Sequence, residues 1–179
     1  MDTEAHNSPA RRLRGRLTSG VTVWTSGHGR SAEGLSIGSV IIAEGEPAHV
    51  LGLLGDLADL LDRIRETERF VVHVLGEQHR SLAERFAGQV PVPGGPFQDL
   101  DTADSEHGPV VTDVGTRAAC RLVDVSERGY GLLVDGTIEE LVLDDLEAPL
   151  VHFRGQYRKL AAPHRSWSAR APDTALPDG

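Results

Sequence analysis

Two stretches carry residue types that could do chemistry. The first is VHFRGQYR, residues 151–158, where His152 and Tyr157 stand five positions apart around an Arg-Gly turn. A histidine titrates near neutral pH, so it can hold or pass a proton beside a reacting group. The second is EGLSIGS, residues 33–39, where Gly34 and Gly38 interrupt a strand and Ser36 and Ser39 add hydroxyls. A glycine inside a strand marks either a bulge or a place where a ligand lies against the backbone. The chain has eight histidines, but none falls in H-E-x-x-H spacing, and one cysteine, so no C-x-x-C exists. A metal site therefore has no support. GLSIG, residues 34–38, has G-x-S-x-G spacing but falls inside an expected strand rather than at a strand-to-helix turn, so it is no nucleophile elbow and a hydrolase is not indicated.

The elements that must position these residues are mostly strands. VTVWT (21–25), SAEGLSIGSVIIA (31–43), AHVLGLL (48–54) and FVVHVL (70–75) read as strands, the last apolar enough to be covered on both faces. SGHGR (26–30) reads as a hairpin turn. TRAACRLVDV and YGLLVDGTIEEL read as a hairpin joined by SERG, and PLVHFRGQYRKL as a shorter one turning at Arg154 and Gly155. Helices are expected over 56–66, where Leu57, Leu60, Leu61 and Ile64 recur at helical spacing, and over 78–87. A further short helix is expected after Ser8 and Pro9, stopping by Gly20. Residues 88–109 read as a polar loop. His73, inside FVVHVL, reads as a core histidine donating to a backbone carbonyl, because buried polar groups are nearly always paired.

Seven or eight short strands without βαβ alternation predict a mostly β fold. A closed or nearly closed antiparallel barrel with inserted helices is the natural form, since closure removes exposed edges. The expected organisation is a flexible N-terminus over 1–8, one domain over 9–160, and a proline-rich tail over 161–179. The 179 residues carry 18 Lys+Arg against 27 Asp+Glu, a net charge of −9. Such an acidic chain is a poor partner for nucleic acid. No apolar run approaches membrane-spanning length, no secretory signal opens the chain, and the lone Cys120 suits a reducing cytoplasm.

LTSGVTVWTS, AEGLSIGSVIIAEGEP, RFVVHVLGEQHRSLAERFAG, GPVVTDVGTRAACRLVDV and PLVHFRGQYRKL occur in this order from about Arg11 to Leu160. Together they resemble the flavin reductase-like family of FMN-binding split barrels, the reductase components of two-component monooxygenases. The resemblance implies a homodimer with flavin in a groove between subunits, NAD(P)H as hydride donor, and a flavin-dependent monooxygenase as partner. FMN is the expected cofactor, with FAD or riboflavin as further options. The resemblance also implies that Gly34, Leu35, Ser36, Ile37, Gly38 and Ser39 hold the flavin, and that Gly55, Asp56 and Leu57 supply backbone N–H groups to its phosphate. It implies His152 and Tyr157 beside the flavin and nicotinamide. From the residues alone, the 34–39 stretch reads as a bulged strand and Asp56 as an N-cap; the resemblance turns the reading toward a cofactor site.

Three positions depart from the family pattern. Gly38 stands where a hydroxyl residue is common. GDLAD (55–59) replaces a Ser/Thr pair at the helix start and brings in Asp56 and Asp59. His73 replaces an asparagine. These departures leave a second reading, in which the groove takes another hydrophobic ligand, as a binding protein or a cofactor-independent catalyst.

Overall fold

The computed structural model describes residues 9–55 and 58–160. The expectations placed on 1–8, on Asp56 and Leu57, and on the tail over 161–179 lie outside the described residues.

The main sheet has seven antiparallel strands: β2 (Thr22–Ser26), β3 (Glu33–Ile37), β4 (Val40–Ala43), β5 (His49–Gly55), β6 (Arg69–Val74), β9 (Arg117–Arg128) and β10 (Gly131–Val142). Their order is β3-β2-β6-β9-β10-β5-β4. The edge strands β3 and β4 are consecutive in sequence and joined only by Gly38 and Ser39, so the sheet curls back on itself. The Leu53 amide donates to the Ser39 carbonyl at 3.0 Å, which ties the seam. This is a split barrel, as the family resemblance implies, and a form of the antiparallel barrel that the count of short strands predicts. The expected single strand over 31–43 is instead two strands that pair with different neighbours, β3 with β2 and β4 with β5. Closure of the barrel needs the break at Gly38.

A smaller sheet of β1 (Ser19–Gly20), β11 (Val151–Phe153) and β12 (Gln156–Arg158) lies alongside. The expected loop over 88–109 contains one more strand, β7 (Thr102–Ala103), paired with β8 (Val110–Val111). The β9–β10 hairpin runs further than its sequence pattern suggests. Arg128 pairs with Gly131, so the turn is Gly129 and Tyr130, beyond most of SERG.

β6 is buried on both faces, as its continuous apolar content requires. Phe70 and Val72 join the barrel core with Trp24, Val50, Leu54, Cys120 and Val134. Trp24 stacks on Phe70 with ring centroids 4.8 Å apart. There is no Cβ on Gly52, and one would meet the Trp24 ring at 2.5 Å, so only glycine lets the indole lie flat against β5. On the other side, Val23 and Leu75 pack with Leu82, Ala83 and Phe86 of helix α3 (Arg80–Phe86).

Helix α2 (Asp59–Thr67) begins with Ala58 at its N-cap and has no side-chain cap, which costs about 1 kcal/mol. Leu60, Leu61 and Ile64 are fully buried, each worth roughly 1.5–3 kcal/mol. Burial therefore outweighs the missing cap. Helix α1 (Pro9–Arg14) buries nothing and stops after six residues at Gly15. Its role is to present arginines.

Candidate active-site groove

Along the seam of the split barrel runs a groove of about 560 Å³. Strand β3 and the seam form one wall, with Leu35, Ser36, Ile37, Gly38 and Ser39. The end of β5 forms a second, with Leu53, Leu54 and Gly55. Arg11 and Arg14 of α1 and Ser19 of β1 reach in from the N-terminal side. His152, Arg154 and Gly155 of the β11–β12 hairpin close the remaining side, with Gln89 beside them.

His152 sits between two cross-strand partners. Ser19 of β1 is opposite on one side and Tyr157 of β12 on the other. The His152 and Tyr157 rings meet edge to face, 5.7 Å apart. Tyr157 itself lines an adjoining cavity of about 330 Å³ that shares Gln89 and Gly155 with the groove. Burial raises the Tyr157 pKa, and Glu84 adds to this, against the opposing pull of the Ser36 hydroxyl and Arg80. The phenol is therefore a neutral donor at physiological pH. The Arg80 guanidinium lies 5.9 Å from its ring centre.

The turn of this hairpin is anchored to the arginine-bearing helix. Arg154 adopts the left-handed conformation at φ 51°, and its amide donates to the Gly15 carbonyl at 3.2 Å. The hairpin turn is thus bonded to the residue that follows α1.

The groove gathers basic residues in an acidic protein. Arg11, Arg14 and Arg154 line it, and no carboxylate does among the described residues. Arg14 and Arg154 make no ion pair there. Asp59, a residue whose charge opposes phosphate binding, lines a different cavity with Glu33 and Gly34. There burial raises the Glu33 pKa, and Asp59 reinforces the rise.

Most of the expected cofactor residues converge: Leu35 to Ser39, Gly55 and His152 line one groove. Gly34 does not. A Cβ on Gly34 would meet the Phe86 ring at 2.4 Å, so this glycine faces helix α3, on the opposite side of β3 from Leu35. Its lack of a side chain serves packing of the second core. Gly38, in contrast, borders the groove, and a Cβ there would stand 2.9 Å from the Ser19 Oγ. Ser19 therefore places a hydroxyl beside the space that a side chain at 38 would enter.

His73 lies outside the groove, fully buried. Its Nε2 accepts from the Val111 amide at 3.1 Å, which leaves Nδ1 as the donor to the Val23 carbonyl, also at 3.1 Å. Both nitrogens are satisfied by the neutral ring. Burial, with Arg117 nearby, depresses its pKa to about 4 despite the bond to Val23. Among the described residues no cluster of three or more His, Cys, Asp or Glu could hold a metal ion, and no helix is long and apolar enough to cross a membrane.

Arg11, Arg14, Arg154, Ser19 and Gln89 were not visible as site residues in the sequence pattern. One signal was available. Four arginines fall within residues 11–16, a basic cluster in a chain of net charge −9.

The residues present fit a flavin. Leu35, Leu53 and Leu54 suit a flat apolar ring system, the glycine seam suits its hydrogen-bonding edge, and the serines and arginines suit a ribityl phosphate.

The comparisons agree. Residues 14–161 match the family described as Flavin reductase like domain. The chain is 32% identical over 164 residues to the NADH-dependent FMN reductase AsuE2 of Streptomyces nodosus subsp. asukaensis, covering 90% of this chain and 89% of that one. It is 30% identical over 175 residues to the reductase component of the 4-nitrophenol 4-monooxygenase/4-nitrocatechol 2-monooxygenase of Rhodococcus opacus, covering 93% and 88%. The flavin reductase PheA2 in its native state superposes with a TM-score of 0.77 at 25% identity, covering 90% of this chain and all of that one. With its split barrel, its arginine-lined seam and a family match across nearly all the described residues, this chain belongs to the flavin reductase-like family.

Proposed function

We propose that the protein is an NAD(P)H-dependent flavin reductase that uses FMN, or a related flavin, and hands reduced flavin to a partner monooxygenase. The observation that carries this reading is the seam groove: strand-edge glycine and serines, apolar walls and three arginines, with no carboxylate lining it among the described residues. A groove for a purely hydrophobic ligand has no use for that charge, which disfavours the binding-protein alternative.

When bound, the flavin supplies the two-electron chemistry, taking hydride from the nicotinamide. The protein's own residues bind and orient. Leu35 and Leu53 exclude water from the ring system. Arg11 and Arg14 hold the phosphate end, by Gly55. On the β11–β12 hairpin, His152 and Tyr157 position the nicotinamide carboxamide, with the neutral phenol as donor beside Ser36.

The functional unit is the domain over 9–160, acting as a homodimer. Supporting this, the edge strand β4 carries Ile41 and Ile42 exposed, and a second copy would cover them.

Steady-state oxidation of NADH and NADPH, each with FMN, FAD or riboflavin, tests the activity. Turnover with at least one pair supports it; no oxidation above the uncatalysed background for any pair overturns it. Light scattering tests the assembly, and a monomer at micromolar concentration would count against it.

A further inference from the structure

The cavity that holds Glu33 and Asp59 has a volume of about 380 Å³. It borders three consecutive residues of β3, an edge strand whose other side has no strand partner among the described residues. Leu35 and Phe86 line it from the barrel side, and Val90, Val92 and Pro96 line it from the loop after α3. We propose that this cavity seats the chain's own C-terminal segment, with Trp167 filling the apolar part and the flanking Arg165 and Arg170 drawn to Glu33 and Asp59. The proposal does not depend on the reaction assigned above.

Reach allows it. The last described residues lie beside α3: Lys159 Nζ pairs with Glu77 Oε2 at 2.8 Å, just ahead of the helix. Gln156, Tyr157 and Arg158 line a cavity with Arg80, Glu84 and Gln89, so the chain already runs along the helix toward its far end. The advance from Glu77 to Ala87 is roughly 15 Å at helical rise. The seven residues from Leu160 to Trp167 span up to about 23 Å when extended. Trp167 therefore reaches this cavity from its own chain.

The surface asks for such a group. Val90 is 47% exposed, and Ala87 beside it is also exposed. An indole covers more apolar area than any other side chain, on the order of 200 Å². After Tyr157 the sequence holds one Phe, Tyr or Trp, and it is Trp167. A segment seated here would also cover the open side of β3, which an exposed edge strand needs.

Charge selects this cavity over the seam groove. Residues 161–171 contain Arg165 and Arg170 and no carboxylate. The seam groove is lined by three arginines, which repel such a segment. Glu33 and Asp59 make no ion pair among the described residues. Arg63 is near enough to act on Glu33, but its ion pair is with Glu66. Arg85 also lines the cavity, and its guanidinium donates to the Gln98 carbonyl at 3.0 Å. Two carboxyl groups that raise one another's cost of ionising gain from an arriving guanidinium.

Tryptophan fluorescence of the full chain tests the seat. Trp24 is 0% exposed, so acrylamide quenching reads Trp167, and a Trp167→Phe variant supplies the Trp24 background. In the unmodified protein Trp167 should emit to the blue of free tryptophan and be shielded from acrylamide. Val90→Asp should shift that emission to the red and open it to the quencher, and Asp59→Asn should do so in part. Both positions are exposed, and circular dichroism checks that the barrel is intact. Trp167 as accessible as free tryptophan in the unmodified protein overturns the proposal. Shielding that survives both variants also overturns it, because the segment then sits elsewhere. Mixing unmodified chains with an excess of chains carrying both Val90→Asp and Trp167→Phe separates the chain's own cavity from that of a second copy. Unchanged shielding is expected. Exposure of Trp167 on mixing would place the segment on a second copy and overturn the assignment to its own chain.

Discussion

His152 and Tyr157 are direct cross-strand partners on the β11–β12 hairpin, and their rings meet edge to face at 5.7 Å. The pair is held on both flanks, by Ser19 across β1 and by Arg80 over the tyrosine ring. His152 lines the seam groove, and Tyr157 lines the cavity that shares Gln89 and Gly155 with it, so the pair borders the space proposed for the second substrate.

His152→Ala should therefore lower NADH oxidation by about tenfold or more, with flavin affinity nearly unchanged. Tyr157→Phe should lower the rate by less, since the ring packing survives. Rate assays alongside flavin titrations check this. A parallel loss of flavin affinity would place His152 at the flavin instead.

The Ser19 hydroxyl and the bare Cα of Gly38 form a complementary pair. Loss of one hydrogen bond to the flavin predicts that Ser19→Ala weakens FMN binding about three- to tenfold. Adding Gly38→Ser to that variant should restore much of the affinity, because the hydroxyl enters from the other side of the same space. Gly38→Ser alone should crowd Ser19, with 2.9 Å between the new Cβ and its Oγ. Strict additivity in this double-mutant cycle would refute the coupling.

Burial of neutral His73 makes the fold sensitive to acid. The unfolded chain takes up a proton on this ring near its usual value of 6.5, and the folded protein not until about 4. Unfolding therefore binds a proton between those values, and stability falls as pH falls through that window, by about 3 kcal/mol in total. Above pH 6.5 the ring is neutral in both states and contributes no slope. His73→Asn should remove this component. Urea midpoints at pH 7 and pH 5 measure it, and an unchanged pH dependence in the variant would show that other groups carry the effect.

Cys120 is fully buried in the barrel core, where burial, reinforced by Glu139, pushes its pKa up to about 12. The native protein should give no reaction with a disulfide reagent at neutral pH and one thiol per chain after unfolding. Rapid labelling of the folded protein would show that the core opens.

The second core shows how far a pattern of types reaches. Gly34 and Gly38 look equivalent in EGLSIGS, four positions apart on one strand. The structure gives them opposite duties. One makes room for Phe86 and the other opens the seam. Nothing local distinguishes them, because the difference lies in what packs against each, and Phe86 and Ser19 come from other segments.

The sequence by itself determined the class of fold and the strand that walls the site. Period-two and period-3.6 apolar spacing are local properties, so β6 read as buried on both faces and Leu60, Leu61 and Ile64 read as the inner face of a helix. The order of five motifs determined the family. What tertiary structure alone decided was which side chains meet. The break of the expected 31–43 strand into β3 and β4 follows from ring closure, a constraint set by strands far away in the chain. The arginine-lined groove follows from tertiary pairing too: Arg11 and Arg14 meet Arg154 because the β11–β12 hairpin pairs with β1 and bonds back to Gly15. Charge counted along the sequence said −9. Charge gathered in space, where Coulomb's law acts over ångströms rather than residues, sets three arginines along one groove.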